Sequence, residues 1–149
     1  MKTLQAGDKV PEFTVEDQDG NKVSLSDYNG KKLIVFFYPR ANTPGCTAEA
    51  CNLRDHYSEL KARGYELLGV SEDSKRKQSN FRKKYKLPFT LLADTDHQLI
   101  DSFGVWGEKK FMGRVFDGIH RTTFVINEIG VVEKVIDKVN SQDHAAQLL

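Results

Sequence analysis

A continuous run of apolar, β-branched and aromatic side chains spans residues 33–38, where the chain reads LIVFFY. Because the run shows no alternation of apolar and polar positions, it predicts a strand that is covered on both faces, as in a sheet packed between helices. Pro39 and Pro44 have no backbone N–H to donate, and Gly45 frees the backbone, so the strand has to end here. The good helix formers between Ala48 and Arg54 then predict a helix.

The rest of the pattern predicts further strands and helices in alternation. Further strands are predicted over 65–70, 89–93, 122–126 and 131–136, the last two forming an antiparallel hairpin. Helices are predicted from about residue 46 to near Arg63, over 71–87 with a cap near Ser74, within 94–103, and over 141–149. Residues 10–26 predict a short hairpin, and residues 108–118, which mix Lys, Gly, Phe and Met, predict a surface loop.

A strand, a helix and a second strand in succession imply a parallel, right-handed crossover. The expected fold class is therefore α/β, with a mixed central β-sheet flanked by helices and an N-terminal β-hairpin. This is a thioredoxin-like arrangement, with the helix that carries Cys46 at the carboxyl end of a strand.

Length and charge exclude several classes of protein. We expect residues 1–149 to form a single domain, which is large enough for a hydrophobic core without disulfides. The 22 Lys and Arg residues nearly balance the 21 Asp and Glu residues, so no overall field indicates nucleic acid or a membrane surface as a partner. No apolar stretch approaches the length of a membrane span and no signal peptide is recognisable, so a cytoplasmic location is the default expectation.

Cys46 and Cys51 are the only cysteines in the chain, and both lie on the first predicted helix. In a chain that is not secreted, two cysteines indicate redox or catalytic chemistry more than a structural bond. Cys46 falls in the first helical turn, where unpaired N–H groups and the positive end of the helix dipole stabilise an anion. At such a place the thiolate, which is the nucleophilic form of cysteine, is favoured at neutral pH.

The five-residue spacing limits what the two cysteines can do together. On a regular helix, residues five apart have Cα atoms separated by roughly 8–9 Å. A disulfide needs Cα atoms no more than about 7 Å apart. Cys46 and Cys51 can therefore bond only if the first turns of the helix unwind.

Each of these residues also has a plainer interpretation. Cys46 and Cys51 could be small buried hydrophobes. Thr43 could serve only as a helix N-cap, and Arg121 taken alone is typical of an exposed strand end. Glu49 fits a supporting role in the helix better than a chemical one.

The sequence contains no pattern typical of a metal, cofactor or nucleic-acid site. The cysteines lack C-x-x-C spacing and the four histidines are scattered, so we expect no metal. No dinucleotide or phosphate-loop motif indicates a cofactor. The basic residues at 75–77 and 82–84 are typical of a solvated helix face.

The arrangement P-x-x-x-T-P-x-C, formed by Pro39, Thr43 and Cys46, resembles the active-site motif of the peroxiredoxins. The longer stretch YPRANTPGCTAEACNLRD is similar to the peroxiredoxin Q subgroup, also called bacterioferritin comigratory proteins. The similarity extends over nearly the whole chain, from GDKVPEFTVEDQDG at residues 7–20 to HRTTFVINEIG at residues 120–130.

The resemblance implies a thioredoxin-like fold and a role for each matching residue. Cys46 would be the peroxidatic cysteine and Cys51 the resolving cysteine. Thr43 would contact the peroxide, Pro39 would shield the thiolate, and Arg121 would hold both thiolate and peroxide.

The implied activity is thiol-dependent reduction of hydrogen peroxide and organic hydroperoxides. Cys46 would form a sulfenic acid, Cys51 would resolve it to an intramolecular disulfide, and thioredoxin would recycle the enzyme. No metal, organic cofactor, nucleic acid or membrane is implied, and an intrachain resolving cysteine makes a monomer sufficient. Two alternatives remain open, a thiol–disulfide oxidoreductase of the same fold and a non-enzymatic redox sensor.

Overall fold

The computed structural model describes residues 2–149 and has a five-stranded mixed β-sheet at its centre. The strands are β1 (Thr14–Glu16), β2 (Lys22–Ser24), β3 (Lys32–Phe37), β4 (Tyr65–Ser71), β5 (Thr90–Ala93), β6 (Trp106–Phe111), β7 (Arg114–Ile119), β8 (Thr122–Ile126) and β9 (Val132–Ile136). The helices are α1 (Pro44–Asp55), α2 (Tyr57–Ala62), α3 (Lys75–Tyr85), α4 (Gln98–Phe103) and α5 (His144–Leu148), with a 3-10 turn at Leu25–Tyr28.

The central sheet has the strand order β5-β4-β3-β8-β9. β3, β4 and β5 are parallel, whereas β8 is antiparallel to both β3 and β9. β1 and β2 form a separate antiparallel hairpin near the N-terminus. The mixed sheet flanked by helices and the N-terminal hairpin are thus confirmed.

The run at residues 33–38 is buried on both faces of the sheet, as its composition predicts. Leu33, Val35 and Phe37 belong to one core cluster. Ile34, Phe36 and Tyr38, the alternate positions, belong to a second cluster on the opposite face, which also contains Cys46. The strand at the centre of the fold therefore leads directly to the helix that carries the cysteines.

The first helix is shorter than expected, because a break at His56 divides it into α1 and α2. The His56 ring nitrogen Nδ1 lies 2.9 Å from the carbonyl oxygen of Asn52. In a continuous helix that carbonyl would accept the backbone N–H of residue 56, which here bonds the carbonyl of Arg54 instead. The expected single helix reaching Arg63 is thus wrong in its continuity, while Gly64 follows α2 with a φ of 89°, as expected of a residue that ends a helix.

Most other element boundaries agree with the sequence-based expectations. Ser74 caps α3, its hydroxyl accepting the Lys77 backbone N–H at 3.2 Å. α3 itself is shorter than predicted, because Ser71 belongs to β4.

The expected surface loop at residues 108–118 is wrong, because this segment forms the antiparallel hairpin β6–β7. Its pairing runs from Trp106 opposite Ile119 to Phe111 opposite Arg114. Large apolar side chains at the hairpin tip are exposed, among them Phe111 at 67% and Met112 at 86%. A ribbon that projects into solvent buries neither face completely, so its sequence lacks the alternation by which strands are recognised.

Across residues 2–149, no helix combines the length and the hydrophobicity that crossing a bilayer requires. Within the same residues, no three His, Cys, Asp or Glu side chains are grouped so as to hold a metal ion.

Candidate active site

Cys46 lies in the first turn of α1, and its side chain is buried against the core. Thr43 occupies the N-cap position and Pro44 begins the helix. Proline suits that position because its missing N–H would have no partner in the first turn, and its fixed φ is already helical. The backbone N–H groups of Gly45 and Cys46 belong to the first turn, so they have no carbonyl one turn earlier in the helix to bond. This end of α1 is therefore favourable for negative charge.

Arg121 approaches Cys46 from the short connection between β7 and β8. Its Nη2 lies 3.3 Å from the sulfur of Cys46, within hydrogen-bond distance for a sulfur acceptor. Gly45 leaves room for this contact, because a Cβ at that position would lie 3.2 Å from Nη2. The guanidinium thus brings a positive charge to a sulfur already placed at a helix N-terminus.

Glu49, one turn further along α1, holds the other side of the same guanidinium. Arg121 Nη1 donates to Glu49 Oε1 at 2.7 Å, and the Glu49 side chain is fully buried. Burial raises the pKa of Glu49 from 4.5 to about 7, although the charge and the hydrogen bond of Arg121 act in the opposite direction. The fork of Arg121 therefore joins Cys46 and Glu49, with one donor to each.

The balance of charges at the site keeps Arg121 strongly cationic. Burial by itself lowers the pKa of Arg121, but the charges of Glu49 and Cys46 more than offset this, so the net shift is upward. A second cation, Lys109 on β6, donates from Nζ to the carbonyl of Ile119 at 2.8 Å. Burial lowers the pKa of Lys109, and the nearby Arg121 charge lowers it further.

The remaining residues expected at the site lie around α1 without contacting the sulfur by hydrogen bonds. Thr43 Oγ1 donates to the Arg40 carbonyl at 2.8 Å, and it makes no side-chain capping bond within the described chain. Pro39 follows β3 and is partly buried in the connection to α1. Cys51 lies further along α1 and is partly buried, and both cysteines are free thiols while the helix is intact.

Known proteins are similar to this one over nearly the whole chain. A family model described as the AhpC/TSA family matches residues 6–135. Peroxiredoxin Bcp from Escherichia coli strain K12 is 51% identical over 144 residues, which cover 97% of this chain and 92% of that protein. The chain belongs to the peroxiredoxins of the AhpC/TSA family. Peroxiredoxins are thiol-dependent peroxidases, so the resemblance stated from sequence is confirmed.

Solved structures similar to this peroxiredoxin include two with thioredoxin-like folds, from Xanthomonas campestris and Xylella fastidiosa. A complex of the Xanthomonas campestris bacterioferritin comigratory protein, described in terms of alkyl peroxide reduction activity, has a TM-score of 0.85 at 32% identity and covers 91% of this chain and 87% of that one. A cysteine-to-serine mutant of Xylella fastidiosa PrxQ has a TM-score of 0.91 at 27% identity, covering 99% of this chain and 94% of that one. The thioredoxin-like fold is confirmed by these likenesses.

Sequence reasoning missed three side chains that the structure of this peroxiredoxin brings to the site. Glu49 was assigned only to supporting the helix, yet it pairs with Arg121. His144 on α5 lies with Nε2 3.6 Å from Glu49 Oε2, although the histidines appear scattered along the chain. Lys109 fell within the segment expected to be a loop. Glu49 could have been suspected from its spacing, because a residue three after Cys46 lies on the same helix face.

Proposed function

We propose that this peroxiredoxin reduces hydrogen peroxide and organic hydroperoxides with Cys46 as its peroxidatic nucleophile. The observation that carries the proposal is the 3.3 Å contact between Arg121 Nη2 and the Cys46 sulfur at the N-terminus of α1. A guanidinium and a helix N-terminus together favour the thiolate, which is the reactive form of cysteine.

In the first step the Cys46 thiolate attacks the terminal oxygen of the peroxide. A sulfur–oxygen bond forms as the oxygen–oxygen bond breaks, and the departing alkoxide or hydroxide takes up a proton to leave as alcohol or water. Cys46 becomes a sulfenic acid, the first stage of thiol oxidation. Arg121 and the free amides of the first turn stabilise the charge that moves along the breaking bond.

Thr43 and Pro39 are assigned to the peroxide-binding surface around the thiolate. Because the Thr43 hydroxyl gives its hydrogen to the Arg40 carbonyl, the lone pairs of Oγ1 are free to accept the hydroxyl hydrogen of a peroxide. Pro39, which follows β3, is assigned the role of shielding the thiolate, and it has no N–H that would need water. The Xanthomonas campestris relative supports organic hydroperoxides as one substrate class.

In the second step Cys51 condenses with the sulfenic acid, releasing water and forming an intramolecular disulfide. The bond requires the first turns of α1 to unwind, because an intact helix keeps the two cysteines too far apart. Thioredoxin, or a similar dithiol protein, then supplies two electrons by thiol–disulfide exchange. Since both cysteines belong to one chain, we propose that a monomer completes the cycle.

The test is stopped-flow oxidation of the reduced protein, followed by mass spectrometry of the product and a steady-state assay coupled to thioredoxin. We expect one equivalent of peroxide to give a disulfide between Cys46 and Cys51, and turnover to require both thioredoxin and Cys46. Peroxide consumption that survives in a Cys46→Ser variant would overturn the proposal. An insulin-reduction assay separates this function from general thiol–disulfide exchange, for which no activity is expected.

A further inference from the structure

Glu49 has one carboxylate oxygen whose hydrogen bonding is incomplete. Oε1 accepts from Arg121, whereas Oε2 has no hydrogen-bond partner among residues 2–149. The polar atom facing Oε2 is His144 Nε2 at 3.6 Å, and both side chains are fully buried. A buried carboxylate oxygen without a partner carries a large desolvation cost, so the polar group that faces it affects whether the carboxyl is ionised.

The hydrogen bonds around His144 determine which of its ring nitrogens carries hydrogen. Nδ1 lies 2.7 Å from Gln147 Oε1. The orientation of the Gln147 amide follows from two other contacts: Oε1 accepts the Asn140 backbone N–H at 2.9 Å, and Nε2 donates to the Lys138 carbonyl at 3.0 Å. Because a carbonyl oxygen can only accept, the hydrogen between His144 and Gln147 is on Nδ1.

Nε2 of the neutral imidazole, which lies 3.6 Å from Glu49 Oε2, therefore carries no hydrogen and has one lone pair. Thr123 Oγ1, at 2.8 Å, then donates to that nitrogen. An ionised Glu49 Oε2 opposite the same lone pair would place two acceptors together in the core, which is unfavourable. A single additional proton removes the conflict: on Oε2 it neutralises the carboxylate, and on Nε2 it creates an imidazolium that attracts the carboxylate.

We propose that His144 is a positioning residue that shares one proton with Glu49 and thereby holds Arg121 in place against Cys46. This inference rests on the proposed function, because the geometry that it supports is that of the peroxidatic thiolate. With the proton present, the repulsion between Glu49 Oε2 and His144 is removed, and the Arg121 charge is available to the sulfur. When the proton is lost, Glu49 is repelled by His144 and competes with Cys46 for Arg121.

The charged and titratable groups that face Glu49 come from four elements of the fold. Cys46 lies on the same helix, Arg121 lies between β7 and β8, and His144 lies on α5. Lys109 on β6 lies near Arg121 and Cys46, whose charges act on the pKa of Lys109 in opposite directions. Burial lowers the pKa of His144 while it raises that of Glu49, so the loss of the shared proton belongs to the pair and not to either side chain alone.

Two substitutions of His144 separate positioning from packing. His144→Leu keeps an apolar body of similar bulk but removes both ring nitrogens, and we expect it to slow Cys46 oxidation by hydrogen peroxide about tenfold, the effect of one hydrogen bond of ordinary net strength. His144→Gln places an amide N–H near Glu49 Oε2 and should restore most of the rate. Because glutamine does not titrate, the rate–pH profile of that variant between about pH 5 and 8 should shift relative to the wild type.

His56→Gln is the matched control, since His56 contacts the Asn52 carbonyl at the end of α1 and should leave the oxidation rate and its pH profile unchanged. If His144→Leu oxidises as fast as His144→Gln, or if both retain the wild-type rate and pH profile, His144 serves only packing and the inference fails. Nitrogen-15 spectra of the reduced wild-type protein provide a test that does not need activity or a variant. We expect His144 to carry its hydrogen on Nδ1, and an Nδ1 lone pair at neutral pH would overturn the proposal. Because the spectra do not depend on peroxide consumption, the proposed role of His144 and the proposed peroxidase function can fail separately.

Discussion

The Arg121 guanidinium lies with Nη2 3.3 Å from the sulfur of Cys46, although 75 positions separate the two residues in the sequence. Because β3 and β8 are adjacent antiparallel strands, the chain segment entering β8 lies beside the segment leaving β3. The register that places Phe37 opposite Thr122 thus delivers Arg121 to the N-terminus of α1.

Replacing Arg121 should slow the first chemical step without unfolding the protein. For Arg121→Gln we expect the second-order rate constant of Cys46 oxidation to fall about 100-fold, the loss that follows removal of one charge-stabilising donor in an active site. Arg121→Lys should also be slow, because an ammonium has a single nitrogen and cannot reproduce the planar fork whose two nitrogens reach Cys46 and Glu49. Stopped-flow oxidation measures both, with Arg114→Gln on the exposed part of β7 as a control that should react normally.

The space beside Gly45 provides a more conservative test of the same contact. A Cβ at this position would lie 3.2 Å from Arg121 Nη2, so Gly45→Ala should displace the guanidinium by a few tenths of an ångström. We expect oxidation to slow by about three- to tenfold with little change in stability, since a small misplacement at a reacting centre is costly.

A double-mutant cycle gives the control for Gly45. When Arg121 is already glutamine, the added methyl group should have little further effect on the rate. Equal losses from Gly45→Ala in both backgrounds would show that the glycine acts independently of Arg121.

The pH dependence of stability should report the buried carboxyl of Glu49. Its folded pKa of about 7 exceeds the unfolded value of 4.5, so the folded state holds the proton more tightly. The resulting stability is fully present below pH 4.5 and is lost as the pH rises towards 7. Relative to Glu49→Gln, the wild type should lose on the order of 3 kcal/mol across this window, from 1.36 kcal/mol per pKa unit.

Urea unfolding at a series of pH values measures this difference in the free energy of unfolding. Glu16, whose carboxylate pairs with Lys75 at the surface, provides a matched control. Glu16→Gln should not reproduce the effect, and parallel curves for the wild type and Glu49→Gln would mean that the pKa of Glu49 does not change on folding.

Substituting Cys51 should separate the oxidation of Cys46 from the later formation of the disulfide. Cys51→Ser should oxidise at Cys46 at nearly the wild-type rate, because the substitution leaves the Arg121 donor on the Cys46 sulfur in place. It should then accumulate sulfenic acid and lose turnover with thioredoxin, as followed by mass spectrometry and by the coupled assay. Undiminished turnover in Cys51→Ser would exclude this cysteine from the resolving step.

Local sequence signals were sufficient for the centre of the fold and for the position of Cys46. The run at 33–38 predicted a strand buried on both faces, and the Pro-Gly break before Cys46 predicted a helix start. These signals act over a few residues, so they survive without tertiary information. Arg121 was placed at the site only by resemblance, because its partner lies on a distant segment.

What the sequence did not reveal depends on contacts between distant segments. His144 reaches Glu49 because α5 packs on α1, where the Ala145 backbone N–H bonds Asn52 Oδ1 at 2.7 Å. The β6–β7 hairpin escaped prediction because exposed apolar residues such as Phe111 and Val115 break the expected alternation. Neither feature leaves a periodic pattern in its own stretch of chain.

The interruption at His56 sets a limit on how much of the molecule has to rearrange when Cys46 and Cys51 meet. α2 begins again at Tyr57 and keeps Leu60 in the core. Unwinding that starts at Pro44 can therefore end where α1 ends, while Leu60 and the core around it keep their packing. In an uninterrupted helix the unwinding would extend to the residues that pack against the sheet. The break at His56 thus lets the backbone of α1 move while the rest of the fold stays intact.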